Sequence, residues 1–265
     1  MAIPGWLAHD PRVVCVRHRE ALDGQCAEWP TWLPGSVRDA VTGAGIERPW
    51  LHQVMAADAA WAGQHVAVST ATASGKSLGY LLPIMAATAV RAQVASLGVT
   101  TGDLRSRLGV ARHTALYLAP TKALAHDQWA AARKLGPSGW QVSCLDGDSS
   151  SMERRFARDY ASFVLSNPDM LHRSVLPNHS QWSGFLGSLR YVVVDEAHRY
   201  RGVFGSQVSG VLRRLRRLCH AYGADPVFVL TSATASDAGR SGALLIGEND
   251  PLLEVCQDAS PHAAR

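Results

Sequence analysis

The sequence predicts an α/β protein of three layers, with a mostly parallel central sheet covered by helices on both faces. Three observations predict it. Short apolar runs alternate with segments whose apolar residues recur at helical spacing, the pattern of parallel strands joined by helices. Several runs, such as "TALYLA" and "RYVVVD", are nearly all apolar, as strands covered on both faces must be. One run leads directly into Gly75-Lys76-Ser77, a glycine-lysine-hydroxyl triplet at a strand-to-helix junction.

The bulk properties agree. The chain has 265 residues, 47% hydrophobic and 18% charged, enough for a sizeable core and too apolar for disorder. No apolar run approaches the ~18 residues that read as a membrane span. The start, "MAIPGWLAHDPRVV", lacks the basic and apolar segments of a secretory signal. A cytoplasmic location without membrane contact is expected. The cysteines, Cys15, Cys26, Cys144, Cys219 and Cys256, are scattered without a C-x-x-C pair, which disfavours a zinc site or disulfide framework. A net charge of +4 is compatible with nucleic acid but does not demonstrate it.

Taken in order, residues 1–49 form an N-terminal extension whose tryptophans and prolines ("WPTWLPGSVRDAV") suit packing on the edge of the main sheet. Residues 50–256 form the main domain. Its strands are expected at 65–69, 114–119, 141–145, 162–166, 190–195 and 226–231, with "PLLEVCQ" a further one. Leu78, Leu81, Leu82, Met85 and Ala89 mark a helix that Pro83 should kink or tighten at its start. Residues 96–113 are weakly periodic and read as a surface excursion. Val208, Val211, Leu212, Leu215 and Leu218 form one stripe of a helix carrying Arg213, Arg214, Arg216 and Arg217. Those arginines fit either a solvated amphipathic face or a nucleic-acid contact. Trp182 reads as a half-buried core residue, with base stacking as the alternative. Residues 257–265, polar with a proline, read as a linker or tail.

The chemistry concentrates in two places. Thr72, Ala73, Ser74, Gly75, Lys76 and Ser77 end in a phosphate-loop pattern, although Thr70 stands where the general pattern has its first glycine. Backbone N–H groups at the helix start hold phosphates, Lys76 neutralises charge, and the Ser77 hydroxyl ligates Mg²⁺. "YVVVDEAH" then ends an apolar strand, expected beside the phosphate-loop strand, in two carboxylates. Asp195 suits the ion and Glu196 suits deprotonating or orienting an attacking water. By itself a Gly-Lys-Ser turn also fits a chance loop, and an acidic pair also fits an ordinary helix start.

"TATASGKS" together with "DEAH" resembles the superfamily 2 helicases of the DEAD/DEAH type, in which the first loop position is commonly not glycine. The resemblance implies a RecA-like P-loop domain using ATP and Mg²⁺. "IERPWLHQ" looks like the adenine-reading motif, which makes Gln53 a base contact. "APTKALAHDQ" and "SNPDML" are similar to motifs that contact the nucleic-acid backbone, here through Pro120, Thr121 and Lys122, and through Asn167 and Pro168. "TSAT" resembles the motif in which Ser232 and Thr234 couple the two sites, with His198 linking toward it. "DEAHRYRGVFGSQVSGVLRRLRRLC" resembles, more narrowly, the MrfA/YprA-type DNA helicases, relatives of the Hrq-type and RecQ-like repair enzymes.

That resemblance implies an ATP-dependent motor acting on single-stranded DNA or a duplex junction, with ATP held between two RecA-like domains. The 265 residues contain no counterpart of the second domain's motifs. Weak nucleotide binding, slow hydrolysis and no unwinding alone are therefore expected, with a second RecA-like domain supplied in cis or in trans. A non-catalytic binding module or split subunit, and half of an RNA helicase, are the competing readings.

Overall fold

The computed structural model describes residues 10, 12, 21, 23–95, 113–233 and 237–261, the side chains of 89–95 excepted. The surface excursion expected at 96–113, its last residue apart, and the motif residue Thr234 lie outside these.

Seven strands form one sheet in the order β3-β4-β2-β5-β6-β1-β7. They are β1 (Val66–Ser69), β2 (Thr114–Leu118), β3 (Val142–Cys144), β4 (Phe163–Ser166), β5 (Leu189–Val194), β6 (Val227–Ser232) and β7 (Leu253–Val255). Every pairing between them is parallel. The six strands expected at 65–69 through 226–231 appear within one residue at each end.

The apolar runs are explained by two buried faces. Tyr117, Tyr191, Val193 and Val229 point to one core, and their neighbours Leu116, Val192, Val194, Phe228 and Leu230 point to the other. The first core lies under α1 (Gly35–Gly43), α2 (Leu51–Trp61), α3 (Ser77–Ala95) and α4 (Lys122–Leu135). Beyond the sheet, α5 (Ser151–Asp159), α6 (Pro168–Met170), α7 (Ser183–Leu186), α8 (Gly202–Ala221) and α9 (Ala238–Ile246) supply the second layer. α3 runs on through Pro83 without a break. Leu78, Leu81, Leu82, Ile84 and Met85 are buried along it, and that burial outweighs the missing N–H.

Four local expectations resolve differently from one another. The described part of residues 1–49 lies on the helix layer rather than at a sheet edge. There Val37 and Val41 join the core of α2 and α3, and Trp32 stacks on Trp61 at 4.5 Å. Trp182 is 6% exposed and packs edge-on against Phe185, so it takes the core alternative. Arg216 donates to the Ile246 carbonyl and pairs with Glu248, and Arg214 reaches the Leu176 carbonyl. Glu248 also faces His65 at the entrance to β1, so Arg216 lies at the amino-end edge of the sheet. Residues 257–261, expected as linker or tail, include a docked stretch. Gln25 N donates to the Ala259 carbonyl at 2.8 Å, and Ala259 and Ser260 are buried.

Candidate active site

The carboxyl ends of the strands form a single edge, and the chemistry-bearing residues sit along it in strand order. Asn167 and Pro168 follow β4, and Pro120, Thr121 and Lys122 follow β2. Asp195 and Glu196 follow β5, Ser232 ends β6, and the loop 70–76 follows β1. The acidic pair is thus not on the strand beside the phosphate-loop strand, because β6 lies between them. That interposed strand supplies contacts to both sides.

The loop owes its shape to residues a glycine pattern would not reveal. Thr70 is fully buried, and its hydroxyl lies 2.7 Å from the Ser74 hydroxyl, so a side chain serves here where the general pattern has none. Ala73 (φ 68°) and Gly75 (φ 76°) are both left-handed. Backbone of this kind gathers N–H groups into a concavity suited to anions. A Cβ on Gly75 would meet the Gln53 amide nitrogen at 2.6 Å and push it off the Gly75 carbonyl. Thr72 is exposed at the loop's tip.

The Lys76 ammonium donates to the Thr70 carbonyl at 3.0 Å and to the Ser232 carbonyl at 2.8 Å. Burial pulls its pKa below the usual lysine range, while the carboxylates of Glu196 and then Asp195 oppose the shift. The ammonium therefore lies within the field of both acids, across β6. Asp195, buried at the end of β5, accepts hydrogen bonds from the hydroxyls of Tyr117 and Thr231 and from the Glu196 N–H. Glu196 is held in the left-handed region (φ 52°), a conformation costly for a residue with a side chain and associated with functional turns.

His198 Nδ1 lies 3.2 Å from Glu196 Oε2, 3.3 Å from Ser232 Oγ and 3.3 Å from the Ala233 nitrogen. An N–H can only donate, so the Ala233 contact needs an unprotonated Nδ1 and the Glu196 contact a protonated one; the two exclude each other. A cavity of about 720 Å³ opens alongside, between α8 and α9, with His198 and Ser232 at its rim. Its walls come from α8 and α9, with Ala67 and Leu230 of the sheet as its floor, and residues 70–76 do not line it.

The remaining expected residues are placed as follows. Gln53 does not present a free amide: its oxygen accepts from Trp50 N at 2.8 Å and its nitrogen donates to the Gly75 carbonyl at 2.9 Å. Thr121 caps α4 by accepting from Leu124 N, and the exposed Lys122 pairs with Asp148 at 2.8 Å. Asn167 caps the short α6 by accepting from Met170 N, with Pro168 buried behind it.

Several partners escaped the sequence reading. His52, adjacent to Gln53, is 1% exposed; its Nδ1 accepts from Ala259 N, which leaves Nε2 to donate to the Ser74 carbonyl. Gln128 accepts from both Ser77 and Tyr80. The signal for Gln128 was its place closing "APTKALAHDQ"; His52, Tyr117 and Thr231 carried none apart from their neighbours.

Oxygen donors at Ser77 and Asp195 suit magnesium, and the cationic, N–H-bearing loop suits the phosphates of a nucleotide. Fold and site together define a RecA-like P-loop domain. A family model described as DEAD/DEAH box helicase matches residues 50–240, and the chain belongs to that family. It is 36% identical to the ATP-dependent helicase YprA of Bacillus subtilis, over 91% of this chain and 30% of YprA. It is also 36% identical to the ATP-dependent helicase HRQ1 of Saccharomyces cerevisiae, over 94% of this chain and 22% of HRQ1. The crystal structure of the helicase MrfA bound to DNA and AMPPNP superposes with a TM-score of 0.80 at 34% identity. That match covers 94% of this chain and 32% of MrfA. The chain thus spans about a third or less of the relatives it matches.

Proposed function

We propose that this chain is the ATP-binding motor domain of a DNA helicase. The observation that carries this reading is the Lys76 ammonium held on the Ser232 carbonyl, next to Thr231, whose hydroxyl holds Asp195. In this reading residues 72–77 hold the phosphates, Ser77 and Asp195 hold magnesium, and Glu196 takes the proton of the attacking water. Magnesium, when bound, neutralises phosphate charge. Gln53 braces the phosphate loop at the Gly75 carbonyl, and would have to release its present partners to contact the base directly. Nucleic acid runs over the turns at 120–122 and 167–168, on the neighbouring ends of β2 and β4. Ser232, Thr234 and His198 couple the two tracks. A second RecA-like domain completes the ATP site, since arginines supplied across such a cleft are worth ~10³–10⁵ in rate. DNA is favoured over RNA by the DNA-bound state of MrfA.

Steady-state ATP turnover by this chain, with and without single-stranded DNA, tests the reading. Slow, DNA-stimulated turnover is expected. Glu196→Gln should reduce it to background while retaining ATP affinity, and Lys76→Ala should remove affinity itself. Turnover of the parent chain equal to that of Glu196→Gln would leave a binding module only. Stronger stimulation by RNA of matched length would move the substrate assignment to RNA.

A further inference from the structure

We propose that Tyr117 and Gln128 are positioning residues that link occupancy of the nucleic-acid turn to the magnesium ligands. The proposal rests on the assignment of Ser77 and Asp195 to magnesium given above.

The two residues bracket the turn Pro120–Lys122, one at the end of β2 and one in α4, which begins at Lys122. Each reaches a different ligand. Gln128 Oε1 accepts from the Ser77 hydroxyl at 3.2 Å and from the Tyr80 hydroxyl at 3.0 Å. The Tyr117 hydroxyl donates to one carboxylate oxygen of Asp195, while Thr231 donates to the other. The rings of Tyr80 and Tyr117 pack at 5.9 Å, so the two contacts belong to one cluster rather than two. Tyr80 and Tyr117 are buried, and each phenol hydroxyl has its one proton to donate. Two hydroxyls on opposite oxygens of a carboxylate fix its plane, and partners behind a ligand commonly set its affinity.

The other end of α4 supplies the input. Lys122 pairs with Asp148, and His126 lies 2.9 Å from Asp146, both acids belonging to the loop after β3. A phosphate arriving at Lys122 would compete with Asp148 for the same ammonium. Lys122 and Gln128 lie on one helix, so a displacement of α4 at the turn would carry to Gln128. The geometry therefore joins the turn to Ser77 through Gln128 and to Asp195 through Tyr117.

The test compares ATP affinity in magnesium with ATP affinity in EDTA, by calorimetry, for the parent chain, Tyr117→Phe, Gln128→Ala and Gln128→Glu. In the parent chain magnesium should strengthen binding. Tyr117→Phe and Gln128→Ala should each shrink that strengthening about tenfold, the usual scale for losing a hydrogen bond to a charged or ligating group. Affinity in EDTA should stay close to the parent value, while the thermal midpoint of Tyr117→Phe falls by a few degrees with the loss of a buried hydrogen bond. Gln128→Glu, which keeps the acceptor oxygen, should restore the magnesium effect. Single-stranded DNA should change the magnesium effect in the parent chain and not in Gln128→Ala. An undiminished magnesium effect in both Tyr117→Phe and Gln128→Ala overturns the proposal while leaving the ATP site standing. No magnesium effect in the parent chain overturns the metal assignment, and the proposal with it.

Discussion

At Gly75 two demands meet: a left-handed backbone, and the end of the Gln53 side chain, which an added Cβ would push aside. An alanine there pays about 1–2 kcal/mol for the backbone alone. It also pushes the Gln53 nitrogen off the Gly75 carbonyl it now holds. Gly75→Ala is therefore expected to weaken ATP binding at least tenfold and to lower stability by about 2 kcal/mol, measured by calorimetry and by thermal unfolding. Thr70 shows the reverse case. Its hydroxyl is spent on Ser74 beneath the loop, so an absent glycine does not mean an absent cradle.

Among the elements, α8 shows how far local pattern reaches. Its buried stripe, Val208, Leu212 and Leu215, is legible from spacing alone. The use of its arginines is not, because Arg216 finds its partners at Ile246 and Glu248, about thirty residues away, and covers the ring of Phe228. Arg216→Ala should cost about 1 kcal/mol, lower the thermal midpoint by about 2–4 °C, and leave DNA affinity unchanged. A loss of DNA affinity would restore the contact reading of this helix. The strands were legible for a similar local reason: two buried faces make a run apolar throughout, and its length bounds the strand. The candidate site was legible only where residues stand next to one another in the chain, as in Gly75-Lys76-Ser77 and Asp195-Glu196. Tyr117, Gln128, Thr231 and His52 gain their meaning from strand order and helix docking, which no short stretch of sequence records.

For the molecule as a whole, one response to pH comes from the buried His52 and the half-buried His65 and His113. Burial is the leading cause that lowers the pKa of His52, His65 and His113 below the ordinary 6.5. Unfolding then takes up protons between the folded and the ordinary values, so stability is full above pH ~6.5 and falls as pH drops through that window. The thermal midpoint should decline from pH 7 to pH 5, and His52→Gln should flatten the decline; a midpoint constant over that range would contradict the burial of these rings. Asp146 acts in a lower window, since the hydrogen bond from His126 holds its pKa below 3.8.

The position of β6 has a mechanical consequence. Ser232 offers its carbonyl to Lys76 and its hydroxyl to His198, while the preceding Thr231 grips Asp195. β6 is laddered to β5 on one side and to β1 on the other, so each of these contacts springs from the middle of the sheet. The ammonium and the acid are thus tied to two consecutive residues of one strand, Ser232 and Thr231.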